Sequence, residues 1–223
     1  MGKLIIIEGT DGSGKQTQTE LLYQKLCSQN KKVKKITFPN YKSPASEPVK
    51  MYLAGEFGSD AKSVNVFASS TFYAVDRYAS YKKDWESFYK NDGIIISDRY
   101  TTSNMVHQAS KIDDEIEKEK YLEWLMDLEW NKIAIPKPDL VIFLDVPFEF
   151  SQELMKNRDN KITGDSKKDI HEIDKEYMKK SYINAKELAK KYRWKIISCV
   201  ENDNLKSIES INNEILKEVE KII

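Results

Sequence analysis

Seven residues near the N-terminus, Gly9-Thr10-Asp11-Gly12-Ser13-Gly14-Lys15, set three glycines and a lysine directly after a short apolar run. The spacing fits the pattern G-x-x-x-x-G-K, in which a turn entering a helix wraps its backbone N–H groups around an anion. Consecutive amides make a nest for phosphate oxygens, and glycine lets the backbone approach them closely. Lys15 adds a point charge for the terminal phosphates. The next position departs from the pattern. A Ser or Thr there ligates Mg²⁺, whereas this chain has Gln16, whose amide oxygen is a hard but bulkier ligand. Either Gln16 contacts the metal or water takes that coordination position. Thr17 belongs to the same nucleotide-binding stretch, but it lies one residue further round the helix and does not replace the missing hydroxyl.

A second group with chemical potential is Asp98-Arg99, at the end of another apolar run. A carboxylate at the carboxyl end of a strand can orient the water shell of Mg²⁺, and an arginine can clamp a phosphoryl group. The plainer reading is an ion pair that closes the strand. Only four of the 36 basic residues are arginines (Arg77, Arg99, Arg158 and Arg193). Lysine therefore serves where a plain charge suffices, and the four planar guanidinium forks are the first candidates for bidentate binding.

The elements that must position these groups follow from the hydrophobic pattern. Leu4–Ile7, Val33–Phe38, Gly93–Ser97, Leu140–Val146 and Trp194–Val200 are short, β-branched apolar runs of the kind buried on both faces of a parallel sheet. Between them, Lys15–Gln29, Val64–Tyr89, Glu115–Trp130, Glu149–Lys156, Asp174–Lys191 and Leu205–Ile222 place apolar residues at helical spacing. The alternation predicts an α/β chain: a five-stranded parallel sheet between two layers of helices, in one domain spanning residues 1–223. Residues 38–63, with three prolines, read as loop plus a short helix, and residues 158–172 as a long polar loop.

Composition narrows the function. Acidic and basic residues balance at 36 each, which argues against a general nucleic-acid binder. No run reaches the length of a membrane span, and no signal peptide is expected. Cys27 and Cys199 are too few for a zinc site or a disulfide framework, and they fit a reducing cytoplasm.

Taken together, "EGTDGSGKQTQ", "FPNY", "FYAVDR", "DRYTTSN" and "PKPDLVIFLDV", in this order and spacing, resemble the thymidylate kinase family of nucleoside monophosphate kinases. The resemblance runs from Lys3 to about Val200 and implies a P-loop NTPase fold with a short lid at about residues 158–172. It implies transfer of the γ-phosphoryl group of ATP to dTMP with Mg²⁺, in a cytoplasmic homodimer. By the same resemblance, Asp11 lies near the sugar 3′-hydroxyl and the acceptor phosphate. Tyr73 stacks on the base and Arg77 bonds it, with Ser103 and Asn104 at the base edge. Phe38 packs nearby, Tyr41 and Arg99 hold the acceptor phosphate, and Asp98 organises metal and acceptor. A structural pairing of Arg77 with Asp76 or Asp98 is the alternative for that residue. Asn40 stands where many relatives are charged. His107 stands where some carry a tyrosine near the 2′ position, and it could equally cap its helix.

The family supplies a cation to the moving phosphoryl group from the loop or from the lid. Gly12 occupies the loop position, and Ile170 replaces the arginine of the lid motif. Arg158 is thus the expected source, ahead of Lys161, Lys167 and Lys168. Another deoxynucleotide or deoxynucleoside kinase of the same fold is the alternative. A nucleotide-binding protein without catalysis is the more distant one.

Overall fold

The computed structural model describes residues 1–58, 60, 62–155 and 174–223. The expected lid, with Arg158, Lys161, Lys167, Lys168 and Ile170, lies outside the described residues. Five strands, β1 (Lys3–Glu8), β2 (Val33–Thr37), β3 (Ile94–Asp98), β4 (Leu140–Asp145) and β5 (Lys195–Ser198), form one sheet in the order β2-β3-β1-β4-β5. Every pairing in it is parallel. The α/β sheet expected from the apolar runs is therefore present, and its strand order turns about β1.

The period-two geometry of β1 explains why its side chains are apolar without interruption. Leu4 and Ile6 face one core, packed with Ile95, Phe143, Tyr121 and Leu122, while Ile5 and Ile7 face another with Ile96, Ile142 and Leu144. Edge strand β2 is only half covered and carries Lys34 and Lys35, charges that disfavour pairing with a further strand.

Helices cover both faces. Residues Lys15–Ser28 (α1) and Ile208–Val219 (α9) enclose the second core through Leu22, Leu26, Ile211, Ile215 and Val219. Helices α5 (Thr101–His107), α6 (Glu115–Met126) and α8 (Lys175–Lys191) cover the first. Helix α2 (Glu47–Leu53) occupies the proline-rich segment, and α7 (Phe148–Met155) follows β4. Helix α3 (Val66–Ser80) is capped by Asn65, whose side chain accepts from the amides of Phe67 and Ala68 at 2.9 Å each, a standard way of satisfying first-turn donors.

Three elements depart most from the sequence reading. The single helix expected over Val64–Tyr89 is α3, a wider π-helical turn at Tyr81–Trp85, and α4 (Glu86–Lys90). This arrangement buries Tyr81, Trp85 and Tyr89, which are spaced by four, against the sheet. The helix expected over Glu115–Trp130 likewise ends at Met126 and passes into a π-helical turn at Asp127–Lys132. The fifth strand stops at Ser198, and Val200–Glu201 pairs antiparallel with Asn204–Leu205. Asn202 and Asp203 between them have φ of 49° and 57°, the left-handed pair that a two-residue hairpin requires.

Candidate active site

Strands β1 and β3 are neighbours with Ile7 in register with Asp98, so whatever follows each strand meets at the same edge of the sheet. After β1 comes the glycine loop. Gly14, at φ 79°, takes the left-handed conformation immediately before α1. The side chain of Lys15 is buried, and its Nζ donates to the carbonyls of Gly9 and Thr10 at 2.7 Å each. Gly12 has φ 80°, and a Cβ there would come within 2.4 Å of the Ser151 carbonyl and 2.9 Å of Met155 Cγ on α7. Backbone conformation and packing both oppose a side chain, and with glycine there the loop carries no cation at that point.

Glu8, the last residue of β1, is fully buried and fastens this loop to the opposite side of the site. Its Oε1 accepts from the amide of Gly9 at 3.0 Å, and its Oε2 from the hydroxyls of Thr102 and Ser103 at 2.7 Å each. Ser103, expected at a base edge, thus spends its hydroxyl proton on Glu8.

Arg99 follows β3 at φ 68°, a left-handed conformation that costs a residue other than glycine about 1–3 kcal/mol. Surrounding contacts hold it there: its amide donates to the Ile7 carbonyl at 3.3 Å, and its own carbonyl accepts from Ser97 Oγ at 2.5 Å. The guanidinium spans the site. Nη2 donates to Asp11 Oδ1 at 2.6 Å and Nη1 to His107 Nε2 at 2.9 Å. Because arginine only donates, Nε2 is the bare nitrogen of a neutral ring. Burial would lower the pKa of Arg99, but the carboxylates of Asp11, Glu8 and Asp98 outweigh it and hold the group charged, with the Tyr41 phenol adding to that field. The same surroundings act oppositely on His107, where burial and then the charge of Arg99 push its pKa down to about 3. Thr10, Asp11 and His107 line a small cleft with Tyr177, Met178 and Ser181 of α8.

Asp98 is buried beside Arg99, and its Oδ1 has no hydrogen-bond partner among the described residues. Gln16 and Thr17 are exposed on the first turn of α1. No group of three or more His, Cys, Asp or Glu side chains among the described residues could cage a metal.

The second half of the site is built on α3. Phe38–Pro39 is a cis peptide bond, and the amide of Asn40 donates to Asp76 Oδ2 at 2.8 Å. Burial raises the pKa of Asp76, opposed by that amide and by Arg77. Phe38 is buried 6.0 Å from Tyr100. Tyr73 is half-buried, one turn before Arg77, and meets the ring of Tyr52 edge-on at 6.4 Å. Tyr52 in turn receives Lys111 Nζ at 2.6 Å. Burial lowers the pKa of Lys111 to about 7, with Asp60 opposing.

Arg77 is fully buried, and its ionic partner is neither Asp76 nor Asp98 but Glu129. Nε donates to Glu129 Oε2 at 2.8 Å and Nη2 to Oε1 at 2.5 Å, while Nη2 also reaches Asn104 Oδ1 at 2.9 Å. Arg77 and Asn104, both expected at the base, are therefore in direct contact. Glu8, Lys111 and Glu129 were absent from the expectations. Glu129 left the clearest trace, since it falls four residues after buried Leu125, in the π-helical turn that continues α6, where an unpaired buried acid would be costly.

The family model described as thymidylate kinase matches residues 7–215 of the chain. Thymidylate kinase of Mycobacterium tuberculosis (strain H37Rv) is 31% identical over 187 residues, covering 83% of this chain and 85% of the relative. That of Plasmodium falciparum (isolate 3D7) is 29% identical over 221 residues, covering 99% and 91%. The solved structure of thymidylate kinase from Candida albicans superposes with a TM-score of 0.72 at 25% identity, covering 99% of this chain and 92% of that one.

The His107 contact has a measurable pH signature. The unfolded chain protonates this ring near its ordinary 6.5, whereas the folded chain does so only at about 3. Between those values only the unfolded state takes up the proton, so stability should fall as pH falls through that window. His107→Phe should flatten the corresponding fall in melting temperature relative to the parent chain. An unchanged slope would show that His107 does not titrate as its surroundings dictate.

Proposed function

Because the chain belongs to the thymidylate kinase family, we infer that it transfers the γ-phosphoryl group of ATP to dTMP, giving ADP and dTDP. The observation that carries this reading is the Asp11–Arg99 contact at 2.6 Å, which joins a phosphate-binding loop to a guanidinium at the neighbouring strand end. Two phosphate groups can meet across it, one held by the loop and one by Arg99.

Phosphoryl transfer needs positioning and charge neutralisation more than covalent help. The amides of the loop from Gly9 to Lys15, with Ser13 at its turn, hold the donor phosphates, and Gln16 and Thr17 border them on the first turn of α1. Lys15 supplies charge from a buried position. Arg99 and Tyr41 hold the acceptor phosphate, an oxygen of which is already anionic and attacks without a general base. Asp11 and His107 face the sugar. Tyr73 stacks on the base, Phe38 closes its side, and Arg77 with Asn104 reads its edge. Ser103 supports that edge through Glu8.

The donor set suits Mg²⁺. Asp98 offers a buried carboxylate oxygen with no protein partner among the described residues, and Gln16 an exposed amide oxygen, either directly or through water. Mg²⁺ held by these oxygens would offset the negative charge of the ATP phosphates.

Gly12 has no room for a side chain, so the cation acting on the transferred group comes from the lid, and Arg158 is assigned that role. The protein acts in the cytoplasm, with no nucleic-acid partner. No helix among the described residues is long and apolar enough to cross a membrane. It works as a homodimer. Phe67, Val75 and Tyr78 lie exposed along α3, and Ile116 is exposed at the start of α6, which leaves an apolar stripe for a second copy to cover.

Release of ADP measured across dTMP, dUMP, dCMP, dGMP and thymidine tests the reading, with dTMP expected to give the highest kcat/KM. No turnover of dTMP would overturn it, and preference for thymidine would move the activity to nucleoside kinases. With dTMP as acceptor, Arg158→Ala should cut kcat by about 10³-fold, far more than Lys167→Ala. Equal losses would remove Arg158 from its assigned role.

A further inference from the structure

Glu129 sits in the π-helical turn after α6 with no solvent exposure. Its two oxygens take the Nε and Nη2 corners of Arg77 at 2.8 and 2.5 Å, and Oε2 also accepts from Thr101 Oγ1 at 2.7 Å. A two-toothed grip of this kind fixes the plane and rotation of a guanidinium as well as its position. The grip leaves Nη1 as the corner of Arg77 not bound to a side chain in these contacts, with one long contact of 3.4 Å to the carbonyl of Tyr100.

The consequence passes to Asn104. Nη2 of Arg77 donates to Asn104 Oδ1 at 2.9 Å. Since arginine has no acceptor, the oxygen of the amide must face it and the amino group must face away. That amino group, Nδ2, is buried without a hydrogen-bond partner among the described residues, and Asn104 as a whole is 3% exposed. A buried donor left unmatched is unfavourable unless a ligand supplies the acceptor.

We propose that Glu129 is the positioning residue of the base-reading site, holding Arg77 by its Nε–Nη2 edge so that Arg77 Nη1 and Asn104 Nδ2 serve as donors selecting an oxo-pyrimidine over an amino-pyrimidine nucleotide. The proposal rests on the reading of Arg77 and Asn104 as base contacts. The carbonyl at ring position 4 of thymine accepts from either donor, while the amino group at that position of cytosine would set hydrogen against hydrogen. The carboxylate never touches the base itself; it sets which atoms of its neighbours do.

Steady-state kinetics of the full-length chain with ATP and either dTMP or dCMP provide the test, using Glu129→Gln, Glu129→Asp and Arg77→Ala. Glu129→Gln replaces one of the two acceptor oxygens facing Arg77 with a donor, so KM for dTMP should rise about 10-fold or more while kcat changes by less than about 3-fold. KM for ATP should stay unchanged, and the preference for dTMP over dCMP in kcat/KM should fall by about 10-fold. Glu129→Asp, which keeps the charge, should recover part of the KM.

Arg77→Ala separates this inference from the reading beneath it. If Arg77→Ala raises KM for dTMP and Glu129→Gln does not, the role of Glu129 falls and base reading by Arg77 stands. If Arg77→Ala leaves KM for dTMP unchanged, base reading itself falls. Melting curves accompany each variant. Should Glu129→Gln not fold, Glu129→Asp carries the test through its KM and substrate preference. Failure of both to fold, or equal losses towards dTMP, dCMP and ATP, would show a purely structural carboxylate and overturn the proposal.

Discussion

The ion pair between Asp11 and Arg99 is the contact on which the rest of the site depends. It exists because β1 and β3 are adjacent and parallel, with Ile7 opposite Asp98, so that the residues leaving both strands converge. Each partner is mostly shielded, with side-chain exposures of 18% and 14%. Removing either would take from the other a short charge-assisted hydrogen bond in a mostly shielded place. The left-handed backbone at Arg99 is the conformational expense of aiming the guanidinium back over the glycine loop. Bonds from Ser97 and to Ile7 offset it.

Around that pair, the neutral overall charge conceals a strongly charged interior. Glu8, Asp76, Arg77, Asp98 and Glu129 are all buried, against the general rule that ionised side chains stay outside. Most are tied into hydrogen-bond networks that span distant segments. Glu8 joins the loop to α5, Asp76 anchors the turn at Phe38–Pro39, and Glu129 ties the end of α6 to α3 and α5. Such networks contribute little net stability, but their groups must be matched and therefore fix relative positions closely. An enzyme that works mainly by positioning has reason to keep them.

The parts of this arrangement legible in the chain were those encoded within a few residues. The glycine loop, the apolar strands and the Asp98-Arg99 pair each carry their signal in a short window. The helix boundaries were less accessible, because the π-helical turns at Tyr81–Trp85 and Asp127–Lys132 leave no clear local mark. Partnerships across the fold were not accessible either. For Arg77, expected at the base, the alternative was a pair with Asp76 or Asp98, yet its ionic partner is a residue 52 positions away, a choice settled by how the end of α6 packs on α3. The bond from the Ser103 hydroxyl to Glu8, 95 positions earlier, likewise left no local signal. The absence of a cation at Gly12 was visible as a letter, whereas its cause, the backbone of α7 at 2.4 Å from any Cβ, was not.

The central claim is that the Asp11–Arg99 contact couples the two phosphate sites. A double-mutant cycle on dTMP binding, measured by calorimetry with Asp11→Asn, Arg99→Lys and the double variant, tests it most directly. The account predicts that the double variant binds dTMP more tightly than the sum of the single losses requires, with a coupling of about 0.5–3 kcal/mol. Strictly additive losses would contradict it.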